Sequence, residues 1–104
     1  MDERDAEVLK ALGEQGDRPM IPRPVFIWIY GTLDDLWQVA PLLADKGWQQ
    51  TDPEPADGQY VIRAQREQPA SEEAITSMIE EIELAIANTD AEFDGWETSV
   101  EFGQ

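Results

Sequence analysis

The sequence predicts an α+β domain with a ferredoxin-like βαββαβ core: a four-stranded antiparallel sheet, two helices on one face, and a short N-terminal helix in front. Two observations support this class. Apolar residues switch between helical and strand periods in the order helix, then strand, helix, strand, strand, helix, strand. Short loops containing Gly, Pro and Asp separate the segments. Right-handed crossovers turn this order into a split βαβ sheet.

The chain of 104 residues has the length of one domain. Residues 1–23 form its N-terminal helix and Pro-rich connection, and residues 24–104 its core. The helix is expected over residues 2–15, on a narrow stripe formed by Val8, Leu9 and Leu12. It is too short to be stable unless it docks on the rest of the domain.

The first strand is expected over residues 24–30, which are rich in β-branched and aromatic side chains. Side chains alternate between the two faces of a strand, and both sets here are apolar. We therefore expect a central strand that is covered on both sides. The two sets are Val25, Ile27 and Ile29 on one face, and Phe26, Trp28 and Tyr30 on the other.

The first long helix is expected to begin at Thr32, a suitable N-cap, with Asp35 three residues later. Gly47 is a favourable residue just after its end. Pro41 should kink this helix or weaken its hydrogen bonding. The chain is then expected to form a second strand, a turn-forming loop and a third strand, over residues 48–51, 52–58 and 60–66.

The second long helix is expected to begin after Ser71 and to bury an isoleucine-rich stripe. Its solvent side carries Glu72, Glu73, Glu80, Glu81 and Glu83. A last strand is expected over residues 92–102, where Gly95 permits a bulge or a close backbone approach. Asp94-Gly95 could equally form a turn, with Trp96 as a core residue. Trp96, Val100 and Phe102 share one face of that strand.

The net charge of the chain indicates which classes of partner it can bind. There are 23 Asp and Glu against 7 Lys and Arg, a formal net charge of -16. Nucleic acids and anionic membranes are disfavoured, because their binding depends on cationic contacts. A basic protein would instead be attracted from a distance. No long apolar run and no signal-peptide pattern is present, so we expect a cytoplasmic protein.

The sequence offers few routes to catalysis. Cysteine and histidine are absent, which removes thiolate chemistry and the commonest general base. Loop carboxylates suit helix caps and turns, and the acidic stretch 52–58 lacks the ligand spacing of a calcium loop. No Gly-rich phosphate loop occurs. We therefore predict no enzyme activity, no catalytic residue, no cofactor and no metal site.

The aromatic face of the first strand has several possible roles. Phe26, Trp28 and Tyr30, together with Tyr60 on the third strand, resemble the stacking platform of RNA-recognition domains. The negative charge argues against RNA as its ligand. The N-terminal helix could cover part of this face, or two copies of the chain could associate through it.

Several segments, in order, resemble the regulator of ribonuclease activity B family. Asp94-Gly95-Trp96, with an aromatic residue before it and Thr98 after it, is similar to that family's signature. The resemblance extends over roughly residues 7–102 through a set of shorter segments. These are Glu14-Gln15-Gly16-Asp17, Thr32-Leu33-Asp34-Asp35-Leu36, Gly47-Trp48, Thr51-Asp52-Pro53-Glu54 and Asp57-Gly58.

The resemblance implies a ferredoxin-like domain that binds ribonuclease E and lowers RNA decay without touching RNA. In that family the contact is with the basic, disordered C-terminal scaffold region of the nuclease. Candidate protein-binding residues are the acidic helix face, which would steer the encounter, and an aromatic patch near Trp96 or Trp28, which would supply the apolar anchor. Alternatives are an acidic interaction module or homodimer of the same fold with a different basic partner, and a small enzyme that uses loop carboxylates. The candidate residues are Trp28, Asp94, Trp96, Glu80, Glu81 and Glu83.

Overall fold

The computed structural model describes residues 3–14, 16 and 18–99. Three helices and five strands follow one another in these residues. The expected strand over residues 92–102 ends at Thr98, and Val100 and Phe102 lie outside the described residues. The elements are α1 (Glu3–Glu14), β1 (Arg23–Gly31), α2 (Leu33–Asp45), β2 (Gln49–Gln50), β3 (Glu54–Ala56), β4 (Gln59–Gln68), α3 (Glu72–Ile86) and β5 (Glu92–Thr98).

The strands form one antiparallel sheet in the order β2-β4-β1-β5. The short strand β3 also pairs with β4, on the same edge as β2 but further along the strand. When β2 and β3 are taken as two parts of one edge, this is the strand order of a split βαβ sheet. The predicted α+β class is confirmed, with β3 as an additional fifth strand. β1 is central, because it pairs with β4 on one side and with β5 on the other.

The segment 52–58, expected to be a loop throughout, contains the strand β3. Its two prolines argued against a strand, but an edge strand needs backbone N–H groups on only one side. Asp57 and Gly58 connect β3 to β4 with φ values of 47° and 85°. Two residues with positive φ between paired strands form the tight turn that matches the twist of a hairpin.

The core lies between the sheet and the two long helices. Val25, Ile27 and Ile29 of β1 are fully buried on this side. The predicted apolar stripes of the helices meet them, so both long helices pack on one face of the sheet. The helix residues in this core include Leu36, Val39, Leu43, Ile75, Met78 and Ile82.

The opposite face of the sheet, which we call the open face, is only partly covered. Phe26 is 37% exposed, and Trp28 and Tyr30 are half-buried outside the core cluster. The expectation that β1 is covered on both sides is therefore wrong. Apolar residues on a second strand face do not require a second covering layer, since neighbouring strands shield part of each aromatic ring.

The ends of α2 follow the local sequence. The Thr32 side chain accepts a hydrogen bond from the Asp35 N–H at 3.2 Å, as predicted for an N-cap. At the other end, Gly47 has a φ of 86°, and the N–H of Trp48 reaches the carbonyl of Leu43. This is the Schellman pattern that glycine favours. The helix continues through Pro41, which is exposed and removes one N–H from the hydrogen-bond ladder.

Helix α1 docks on the helix side of the sheet. Leu12 is buried in the core cluster, and Val8 and Leu9 pack against that cluster. Asp5 accepts a hydrogen bond from the indole of Trp96 on β5. At the margin of the open face, Val8 and Trp28 line one shared depression. The helix thus completes the core and meets the aromatic face only at its border.

Candidate protein-binding surface

Glu81, one of the three predicted binding carboxylates on α3, forms an ion pair inside the domain. Its Oε2 lies 3.0 Å from the Arg66 guanidinium, and the two side chains are 33% and 18% exposed. Arg66 also stacks 4.4 Å from the ring centroid of Trp48 and donates to the carbonyl of Lys46. Glu81 therefore orders the contact between α3, β4 and the end of α2.

Glu80 and Glu83 are exposed and line a groove between α1, α3 and β5. The groove has a volume of about 630 Å³, and the carboxylates of Asp5 and Glu92 also border it. Arg4 contributes positive charge to the same groove. This arrangement gives the helix side of the domain an anionic surface next to β5.

Trp96 belongs to the core. It is 7% exposed and lies opposite Ile27 on the helix side of the sheet. Its indole N–H donates to Asp5 at 2.7 Å, so both the ring and its polar edge are occupied. In this conformation Trp96 anchors α1 to the edge strand and offers no apolar surface to a partner.

Asp94 and Gly95 form a bulge in β5. The register between β1 and β5 shifts between Ile27 and Ile29, and Gly95 has a φ of 107°. Of the alternatives that the sequence allows at Gly95, the structure has the bulge. It places an extra residue opposite Trp28, which leaves the exposed Asp94 carboxylate at the edge of the open face.

The open face combines aromatic and acidic side chains. Phe26, Trp28 and Tyr30, which we call the aromatic stripe, follow the central strand at every second position. Glu97 lies directly opposite Phe26 on β5, and Glu92 lies opposite Tyr30. Asp94 joins Tyr30 and Glu92 around a small depression of about 150 Å³. We call Glu92, Asp94 and Glu97 the carboxylate row.

The other flank of the aromatic stripe, on β4, carries almost no net charge. Trp28 lies opposite Arg63 on β4, and Phe26 lies opposite Gln65. The Arg63 guanidinium donates to both carboxylate oxygens of Glu54 at 3.2 Å, which neutralises it locally. Phe26, Trp28, Arg63 and Gln65 border a shallow depression of about 380 Å³ that extends toward β2.

Tyr60 does not join the aromatic stripe. It was expected to share the face of Phe26, Trp28 and Tyr30, but it pairs with Gly31 and packs against the core cluster on the helix side. The register of β4 decides this, because a shift of one residue moves a side chain to the other face. Sequence reasoning also missed Glu92 and Glu97, whose place opposite the stripe depends on the β5 bulge.

In the described residues, Asp and Glu do not gather in groups of three or more that could hold a metal ion. None of the helices that the structure describes has the length and apolarity needed to cross a bilayer. The fold and the site thus define a class: a small α+β domain with a split βαβ sheet, an anionic helix side and an aromatic sheet face.

The chain belongs to the regulator of ribonuclease activity B family, whose model matches residues 2–98. The match covers nearly the whole chain and confirms the resemblance seen in the sequence. A comparison with curated protein sequences gave no significant match, so the assignment rests on the family model. The family is one of ribonuclease regulators, and this implies a protein partner.

Proposed function

We propose that this chain is a non-catalytic, cytoplasmic regulator that binds the basic C-terminal scaffold region of ribonuclease E and thereby modulates RNA decay. Family membership supports the regulatory role. The choice of a basic segment as the partner rests on one observation, the unbalanced charge of the surface.

Three of the chain's arginines already contact its own groups, so their positive charges are engaged within the domain. Arg23 is 1% exposed and donates to the backbone carbonyls of Arg18, Ile21 and Ser99. Arg63 and Arg66 bind Glu54 and Glu81. The net charge of -16 therefore acts on partners mainly through exposed carboxylates.

The candidate contact residues divide into two groups in this proposal. Glu80 and Glu83 are exposed and attract a basic segment toward the domain. Trp28 and Asp94 supply contacts at the open face, where an aromatic ring can carry much of the binding energy. Trp96 and Glu81 act indirectly, since their own contacts hold α1 and α3 in place.

A nuclease assay tests the function. RNA cleavage by ribonuclease E is followed while the purified protein is added, once with the full-length nuclease and once with a nuclease that lacks the C-terminal scaffold region. We expect cleavage of RNA by the full-length nuclease to slow, and cleavage by the truncated nuclease to remain unchanged. Equal inhibition of both forms would contradict the proposed contact, and no effect on either would contradict the regulatory role toward this nuclease.

A further inference from the structure

We propose that the open face of the sheet is a binding site for arginine side chains of an extended basic segment. The guanidinium groups stack on the aromatic stripe and pair with the carboxylate row. This inference rests on the proposed function for the origin of the segment, which would belong to the ribonuclease. The choice of arginine as the ligand rests only on the residues of the open face.

On the open face, the two groups that bind a guanidinium, an aromatic ring and a carboxylate, lie next to each other. Phe26 and Tyr30 each have a row carboxylate directly across the strand pair, from Glu97 and Glu92. Side chains directly opposite each other in an antiparallel pair have Cβ atoms about 4.5–5.5 Å apart. A planar guanidinium can therefore lie over a ring while its N–H groups point to a carboxylate oxygen.

The carboxylate row is available for this purpose. In the part of the chain that the structure describes, Glu92, Asp94 and Glu97 form no ion pair with Lys or Arg. Glu54, by contrast, is already bound to Arg63 on the same face. A cation from outside can therefore bind beside the aromatic stripe, where Arg4 of the chain itself also borders Asp94 and Glu97.

Arginine matches this surface better than lysine does. The guanidinium is planar, stacks on aromatic faces and donates to both oxygens of a carboxylate, whereas the lysine ammonium is a strongly hydrated point charge. The chain itself contains the arrangement on its helix side, where Arg66 stacks on Trp48 and pairs with Glu81. The open face offers the same two partner types in the aromatic stripe and the carboxylate row, while its own arginine, Arg63, is paired with Glu54.

The spacing of the aromatic stripe favours an extended segment. Its members occur at every second residue of β1, so they lie roughly 6.6 Å apart along the strand. An extended peptide places alternate side chains on one side at nearly the same interval. Arginines at alternate positions can therefore meet successive rings.

The same observations argue against two other occupants of the open face. Nucleic acid bases could stack on the aromatic stripe, but the adjacent carboxylate row repels the phosphates, and Arg63 is already paired with Glu54. A second copy of this chain would bring a further net charge of -16 against the same row. A basic partner supplies the positive charge that nucleic acid and a second copy of this chain lack.

The test uses the full chain and two triple variants with the same change in net charge. The first, which we call the row variant, combines Glu92→Gln, Asp94→Asn and Glu97→Gln and removes the carboxylate row. The second, which we call the helix variant, combines Glu7→Gln, Asp45→Asn and Glu73→Gln and neutralises one exposed carboxylate on each of the three helices. Each protein is titrated calorimetrically with a synthetic peptide that carries arginine at alternate positions, and with the same peptide carrying lysine instead.

We expect the wild type and the helix variant to bind the arginine peptide alike, and the row variant to bind at least about tenfold more weakly. The lysine peptide should bind the wild type several-fold more weakly than the arginine peptide. On titration, the amide NMR signals of β1 and β5 should shift. Equal weakening in both variants, or equal affinity for both peptides, would overturn the proposal in favour of diffuse charge attraction.

The same three proteins are then titrated with the C-terminal region of ribonuclease E. If this region binds the row and helix variants equally well, the proposed function stands and the arginine site is wrong. If the wild type binds the arginine peptide through the row but does not bind the ribonuclease region, the site stands and the proposed function is wrong. A dimer that buries Trp28 in sedimentation and NMR experiments would overturn the site in favour of self-association.

Discussion

The indole Nε1 of Trp96 donates a 2.7 Å hydrogen bond to Oδ1 of Asp5, joining two residues that are 91 positions apart. The bond fastens α1 to the edge strand at the point where the β5 bulge ends. Leu12, one of the buried residues of the core, lies on the same helix. The N-terminal helix is therefore an integral part of the domain.

Replacing Trp96 by Phe keeps an aromatic ring but removes the N–H group. We expect the free energy of unfolding to fall by about 1–2 kcal/mol, because the lost bond has a charged acceptor. Amide hydrogen exchange should increase most in α1. The control is Glu7→Gln, an exposed change on the same helix, which should leave stability nearly unchanged in urea denaturation. Unaltered exchange in α1 would show that the bond does not hold the helix.

The bulge glycine can be tested by a pair of alanine substitutions. Gly95 and Gly13 both have no atom within 4 Å of an added Cβ, but only Gly95 has a positive φ, at 107°. Gly95→Ala should cost about 1–2 kcal/mol of stability through backbone strain. Gly13→Ala, near the end of α1, should be neutral or stabilising. If thermal unfolding gives equal changes for the two variants, the strain at Gly95 has been overestimated.

The two ion pairs on β4 are expected to differ in their contribution to stability. Arg66 and Glu81 are 18% and 33% exposed, whereas Arg63 and Glu54 are 55% and 48% exposed. Arg66→Ala should destabilise the protein by about 2 kcal/mol, because it removes the pair and the stacking on Trp48. Arg63→Ala should cost less than about 1 kcal/mol. Chemical denaturation of both variants checks this order, and the reverse order would contradict it.

Trp28 is the aromatic residue that we expect to matter most for partner binding. Trp28→Ala should weaken binding of the ribonuclease E C-terminal region by about 2 kcal/mol or more while the protein stays folded by circular dichroism. The matched control is Trp37→Ala on α2, a tryptophan that is 52% exposed and distant from the open face. Its binding affinity should be unchanged. Equal losses in the two variants would place the anchor elsewhere.

Much of the fold was predictable because each element carries its own local signal. A run of β-branched and aromatic residues indicated β1, Thr32 and Gly47 marked the ends of α2, and Gly95 permitted the bulge. The strand β3 was missed because Pro55 is compatible with a strand only at a sheet edge, and edge position is a property of the whole fold. The position of Tyr60 was missed for a related reason, since strand register is set by the pairing.

The candidate site was less predictable than the fold. Trp28 and Asp94 were identified from sequence, and they lie on the open face and at its edge. The sequence allowed Trp96 to be either a core residue or a binding anchor, and its hydrogen bond to Asp5 is a contact that no local pattern indicates. The carboxylate row arises only when β5 pairs with β1. Alternating acidic residues at Glu92 and Asp94 were the one local signal that could have indicated it.

The central claim is that this acidic domain binds the basic C-terminal region of ribonuclease E. The most direct measurement is a calorimetric titration of the purified protein with that region at low and at high salt. We predict micromolar or tighter binding at low salt and clearly weaker binding at high salt, since screening reduces attraction between opposite charges. No detectable binding at low salt would contradict the claim.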